Sequence, residues 1–221
     1  MLFLIGMATR IEIRSNVFDT RAVVLKKKLA VGSLEKKISD ISLTDVYTVD
    51  KDFSSTDLKR IGEMLAHPVT QQFSINVPLS PQKFTYAFEI GFLPGVTDNI
   101  ATTTREMIED LLKVKFEDRE NVYTSQVIFI DGKLKQEHVS NILVNLYNSL
   151  IQRCSVKTFD EFKKSKGMGI VVPKVILQEK PQVDTVDLDV SDDELVEIGK
   201  KGIENIDGTR RGPLALPLVY M

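Results

Sequence analysis

The segment Pro94-Gly95-Val96-Thr97-Asp98-Asn99 holds the residues best spaced for chemistry. A glycine turn there runs directly into a helix, whose free N–H groups and dipole favour anions. Pro94, Gly95 and Asp98 shape that turn, while Thr102 and Arg105 add a hydroxyl and a cation on the helix that follows. These five are the candidate interface residues. A plain strand-to-helix turn capped by Asp98 accounts for the same pattern with fewer assumptions.

Elsewhere the reactive residue types are scattered. There is no phosphate-binding G-x-x-x-x-G-K-[ST] loop and no G-x-S-x-G nucleophile elbow. Gly167-Met168-Gly169 is a lone G-x-G. His67 and His138 stand far apart with no cysteine partner, which predicts surface histidines and no zinc site. His67, before Pro68, reads as a helix C-terminal cap. The single cysteine, Cys154, sits in an alternating strand pattern and reads as a buried structural thiol. One thiol cannot close an intramolecular disulfide, which fits a reducing cytoplasm. Asp187, Asp189, Asp192, Asp193 and Glu194 lack calcium-loop spacing and read as a solvated linker leading into a helix N-terminus. No residue is predicted to be catalytic, and none to bind a cofactor or metal.

Composition narrows the class. The chain has 221 residues, 43% hydrophobic and 27% charged, as in an ordinary globular protein. A net charge of −2 argues against a nucleic-acid surface, which needs a basic excess. Lys26-Lys27-Lys28 and Lys163-Lys164-Ser165-Lys166 read as solvated faces. The apolar run Met1 to Ala8 is too short to span a bilayer and reads as the start of a strand near Leu2. No membrane partner is expected.

The elements that would position these residues occur twice. Arg10-Ile11-Glu12-Ile13 matches Ala87-Phe88-Glu89-Ile90, and Val17-Phe18-Asp19 matches Val96-Thr97-Asp98. Val46-Tyr47-Thr48-Val49-Asp50 matches Val127-Ile128-Phe129-Ile130-Asp131, and the run from Leu65 matches the run from Leu146. The offset drifts from 77 at Arg10/Ala87 to 81 at Leu65/Leu146, as loop insertions would make it. So long a period is not that of a solenoid.

Each copy reads as strand, helix, long strand, helix, strand. Asp19 caps a helix bearing Ala22, Val23, Val24, Leu25 and Leu29. Ile38 to Asp50 alternates with Ile41, Leu43, Val46 and Val49 inward. Ser54 to Thr56 open a helix with Leu58, Ile61, Met64 and Leu65, and Gln71 to Val77 closes the copy. In the second copy Phe84 to Ile90 alternates, Gly91 to Gly95 turns, and Asp98 or Asn99 caps a helix with a solvated acidic side of Glu106, Glu109 and Asp110. Val122 to Ile130 is a strand before an Asp131-Gly132 turn. A helix over 136–147 and a strand over Ile151 to Thr158 complete a second sheet. This predicts an α+β fold of two tandem units, 1–77 and 83–158, forming a pseudo-dimer about an approximate two-fold axis. Pro78-Leu79-Ser80-Pro81 joins them. Residues 159–221 read as an extended or helical linker, in which Ser191 and Glu194 form a capping box. The apolar end, Leu214 to Met221, predicts either a longer natural chain or self-association into a homo-oligomer.

The residues also resemble a known family. Leu65-Ala66-His67-Pro68-Val69 with Gln72-Phe73-Ser74-Ile75 resembles the close of the small PurS protein. Gly91 to Asn99, with Val122-Tyr123-Thr124-Ser125, resembles the "PGVTDN" region of large phosphoribosylformylglycinamidine synthases of the PurL family. Leu188 to Leu195 and Arg211 to Leu216 resemble the linker that follows it. The resemblance implies a ferredoxin-like PurS dimer fused into one chain, in an enzyme of cytoplasmic purine biosynthesis. That enzyme is a ligase using ATP, magnesium and glutamine-derived ammonia to amidinate formylglycinamide ribonucleotide. It implies ATP and magnesium in other domains, and the synthetase and glutaminase domains as partners. The family's "W-S-E-H-C" segment is absent, and no family catalytic residue falls on a position here. The expected role is a non-catalytic scaffold; the alternative is a free-standing ferredoxin-like module that binds a small molecule or regulates.

Overall fold

The computed structural model describes residues 8–174, 188–204, 208 and 212. The chain divides into two units, 1–175 and 176–221. In the first, strand β1 (Thr9–Ser15) buries Ile11 and Ile13 on one face and sends Arg10, Glu12 and Arg14 to the other. Helix α1 (Thr20–Leu29) starts at Asp19, whose carboxylate accepts the Arg21 N–H at 2.9 Å. The long strand β2 (Ile38–Asp50) follows. Helix α2 (Ser55–Leu65) is capped by the Ser54 hydroxyl, and β3 (Gln71–Ile75) ends this half. The second half repeats the order with β4 (Tyr86–Phe92), α3 (Asn99–Leu112), β5 (Asn121–Gly132), α4 (Gln136–Leu146) and β6 (Gln152–Thr158).

The sequence gives each half its own sheet; the structure joins them into one. The six strands run in the order β3-β1-β2-β5-β4-β6, with all neighbours antiparallel. In each half the first strand lies between the other two, and the two long strands meet at the centre. Their pairing runs from Ile38 opposite Gly132 to Asp50 opposite Asn121. The physical reason lies in the second face of these strands. Val46, Val127 and Phe129 are buried there, and a three-stranded sheet would leave them on an open edge that attracts other chains.

All four long helices cover one face. Helices α1 and α4 pack over Ile41, Leu43, Tyr86, Phe88, Ile128 and Ile130. Helices α2 and α3 cover Ile11, Ile13, Val49 and Val122. Each helix pair therefore draws one member from each half. The opposite face carries a third cluster of Val46, Phe84, Ala87, Val127 and Phe129, closed by Phe162 and Met168. Phe162 belongs to a short helix, α5 (Phe159–Lys164), which Thr158 and Glu161 cap reciprocally. Within residues 159–174, read as the start of a linker, Phe159, Phe162 and Met168 are thus packed onto the sheet, while Ile170 and Val171 are exposed. Gly167, at φ +109°, lies so close to Pro78 that a Cβ would sit 3.1 Å from the proline ring.

Several boundaries move. Gly91 and Phe92 complete β4, so the turn starts only at Leu93. Asp131-Gly132 is no hairpin turn but the end of β5. A Cβ on Gly132 would lie 1.9 Å from the Lys37 carbonyl, so close strand approach selects the glycine, not a turn. Glu109 leaves the solvated side of α3. It is buried, accepts the Phe116 N–H at 3.0 Å and meets Lys115 at 2.6 Å. Those contacts, Lys115 first, hold its carboxyl down to about 2. The predicted start near Leu2 lies outside the described residues.

The second unit contains helix α6 (Asp192–Lys201). Ser191 and Glu194 form the expected capping box, with Asp192, Asp193 and Glu194 in the favourable first turn. Asp187 and the tail from Leu214 to Met221 lie outside the described residues. No described helix is long and apolar enough to cross a membrane.

Candidate functional site

The five interface candidates lie along the turn before α3, its N-cap and its first two turns. Pro94 and Gly95 form an exposed turn, with Gly95 at φ +83°. Asp98 caps α3 and leaves neither carboxylate oxygen spare. One accepts the Ala101 N–H at 2.9 Å; the other accepts the Thr124 N–H at 2.9 Å and its hydroxyl at 2.8 Å. The protein's own carboxylate thus fills the place where an anion would bind. Thr102 donates its hydroxyl back to the Asp98 carbonyl at 3.0 Å. Arg105 turns away to Glu109 and places its guanidinium 5.6 Å from the centre of the Phe116 ring. We expect Asp98→Ala to cost about 2 kcal/mol, combining a lost cap with lost charged hydrogen bonds to β5. Urea denaturation measures it, and a loss below about 0.5 kcal/mol would contradict this role.

Thr124, the partner of Asp98, borders a trough of about 400 Å³ over the β2–β5 junction. Its floor is the β2–β5 junction, where Asp45 stands opposite Gln126. Gln126 Nε2 donates to Asp45 at 2.8 Å. Arg21 spans Asp45 and Asp19, at 2.9 Å from each. The Asp19 hydrogen bond leads in raising the Arg21 pKa, and Arg21 in turn leads in lowering that of Asp19. Burial, helped by the Asp45 charge, raises the Tyr47 phenol, so it stays protonated at neutral pH. The trough holds paired charges and amides, not a nucleophile beside a base.

The opposite face carries a buried ionic cluster built on Arg10 and Glu12 of β1. Arg10 Nε donates to Glu12 at 2.6 Å, and Nη1 donates to Glu89 and to the Gly169 carbonyl, each at 2.9 Å. Glu89 also accepts the Ser125 hydroxyl at 2.7 Å, and Glu12 accepts the Leu79 N–H at 2.6 Å. All three charged side chains are more than nine-tenths buried. Burial would lower the Arg10 pKa, but the carboxylates, Glu89 foremost, outweigh it and raise the value. For Glu12, burial wins over Arg10 and raises the carboxyl. The repeat did contain a signal: Glu12 and Glu89 occupy equivalent positions in the two copies.

This cluster ties together β1, β4, β5, the inter-half connection and the loop after α5. Lys157 extends the tie, donating to the carbonyls of Gly167 at 2.8 Å and Met168 at 3.2 Å. The lone G-x-G is therefore a docking loop against the sheet, not a phosphate cradle. Lys174 pairs with Asp50 and donates to the Arg119 carbonyl.

His67 does not cap helix carbonyls. Its Nδ1 accepts the N–H groups of Val69 and Thr70, each at 3.3 Å, and so organises the turn into β3. His138, read as a surface residue, is 4% exposed. Burial pushes the half-buried Cys154 thiol up to about 11, which leaves little thiolate at neutral pH. Among the described residues no group of three or more His, Cys, Asp or Glu is placed to hold a metal. No family model matches the chain, and no curated protein matches it.

Proposed function

We propose that this chain is the non-catalytic scaffold portion of a phosphoribosylformylglycinamidine synthase, built as a fused PurS-like pseudo-dimer with a following linker. The observation that carries the reading is the central β2–β5 junction. It unites two halves of like element order into one sheet, with the first strand of each half in the middle of that half. The arrangement of charge supports the same reading. The Arg10–Glu12–Glu89 cluster and the Asp45–Arg21–Asp19 network are spent on holding segments together. The carboxylates that converge among the described residues are already paired, Glu12 and Glu89 with Arg10 and Asp19 and Asp45 with Arg21, and the cofactors of the synthase are ATP and magnesium. Those cofactors belong in this reading to the synthetase domain, with the glutaminase as the second partner, in a cytoplasmic enzyme of purine synthesis. The scaffold holds those partners in register for ammonia transfer.

The test supplies the chain to a synthase lacking its N-terminal region, with ATP, magnesium, formylglycinamide ribonucleotide and glutamine. The chain alone should form no amidine, and adding it should restore glutamine-dependent turnover to the truncated enzyme. Turnover by the chain alone, or no binding to the truncated enzyme, would overturn the proposal.

A further inference from the structure

We propose that Lys37 and His138 hold a phosphate-class anion beside the start of α4. His138 is the third residue of that helix and is folded back, so that its Nδ1 accepts the Lys135 N–H at 2.8 Å. A neutral imidazole whose Nδ1 accepts carries its proton on Nε2. That buried N–H points at the Lys37 ammonium, with Nζ only 2.6 Å away. An ammonium has three donors and no acceptor. Two donors therefore face each other, and His138 Nε2 lacks an acceptor at hydrogen-bond distance. The nearest carboxylate oxygen, from Glu137, is 3.5 Å from it, on a side chain that is largely exposed.

The surroundings favour negative charge. Lys135, the residue before α4, makes no side-chain cap; His138 accepts its backbone N–H, and Glu137 is the one acidic residue in the first turn of the helix, which faces the positive end of the helix dipole. Lys133 donates its backbone N–H to the Lys37 carbonyl at 2.9 Å, which ties the loop before α4 to the start of β2. Those two short segments carry Lys36, Lys37, Lys133 and Lys135 against Glu35 and Glu137. An oxyanion entering between Lys37 and His138 turns a donor–donor contact into two charge-assisted hydrogen bonds. A phosphate group, with several oxygens and up to two charges, suits this set better than a carboxylate or chloride. The inference stands apart from the scaffold role, since it uses none of the residues on which that rests.

The experiment titrates the intact, nitrogen-15-labelled chain with inorganic phosphate and, separately, glycerol phosphate, at constant ionic strength in chloride. Imidazole proton–nitrogen spectra report His138. Its Nε2 signal should move and saturate. Lys37→Met should weaken binding at least about tenfold, and Glu137→Gln should strengthen it about two- to threefold. The same spectra show that each variant is folded. A preference for inorganic phosphate identifies the free ion, and a preference for glycerol phosphate identifies a phosphorylated metabolite. An unmoved His138 signal, equal binding by Lys37→Met, or the same shift from added chloride would overturn the site.

Discussion

Replacing Arg10 by methionine is expected to cost about 3–5 kcal/mol at neutral pH, because it strands two buried carboxylates. Glu12 and Glu89 share this one guanidinium, and their other partners are the Leu79 N–H and the Ser125 hydroxyl. The loss should depend on pH with a definite sign. Burial already raises the Glu12 pKa above its reference of 4.5, and Arg10 opposes that rise. A carboxyl raised on folding contributes stability that is present below its unfolded value and lost as pH climbs through its folded value. Removing Arg10 widens that window upward. The penalty should therefore be smallest near about pH 5 and grow toward about pH 8 in urea denaturation. A charge-free variant, Arg10→Met with Glu12→Leu and Glu89→Leu, should recover most of the loss. A penalty independent of pH would show that packing, not charge, dominates this cluster.

Phe162→Ala should produce the second large effect, and a local one. The ring is 3% exposed and meets Phe84 and Phe129 edge-on, at 5.3 Å and 5.6 Å between centroids. Truncating a buried Phe costs about 3–5 kcal/mol. Most of that should appear as release of α5 and the Gly167–Gly169 loop, because the helices on the other face do not touch Phe162. Hydrogen exchange should report it at the Gly167 N–H, which donates to the Phe162 carbonyl at 2.8 Å. We expect exchange there to speed up on the order of 100-fold while the amides of β2 and β5 change little. Equal acceleration across the sheet would mean that this segment is integral to the core. Because Gly169 also bonds Arg10, the Arg10 and Phe162 variants should combine less than additively.

Coverage of the second sheet face explains why a linker reading was natural for residues 159–174. The segment is short, lysine-rich and interrupted by Gly167, Gly169 and Pro173. Its apolar anchors are few, chiefly Phe162 and Met168. Two side chains give no periodicity, yet they suffice when the sheet beneath offers Phe84, Ala87, Val127 and Phe129.

The sequence by itself determined the local elements. Alternation places β2 at Ile38–Asp50, hydroxyl and carboxyl caps start α1, α2, α3 and α6, and the repeated order of elements is plain. These features arise within a few residues, where backbone geometry and side-chain periodicity act directly. Of the candidate interface residues, Asp98 was legible as a cap, but its bonds to Thr124 and the turning away of Arg105 were not. Only the tertiary structure decided that the halves share one sheet, that Arg10 bridges Glu12 and Glu89, and that His138 is buried against Lys37. Those outcomes rest on partners 79 residues apart for Arg10 and Glu89, 159 for Arg10 and Gly169, and 101 for Lys37 and His138. A charged residue on a strand reads as solvent-facing until the chain that covers it is known, and burial of that kind is a property of distant segments meeting.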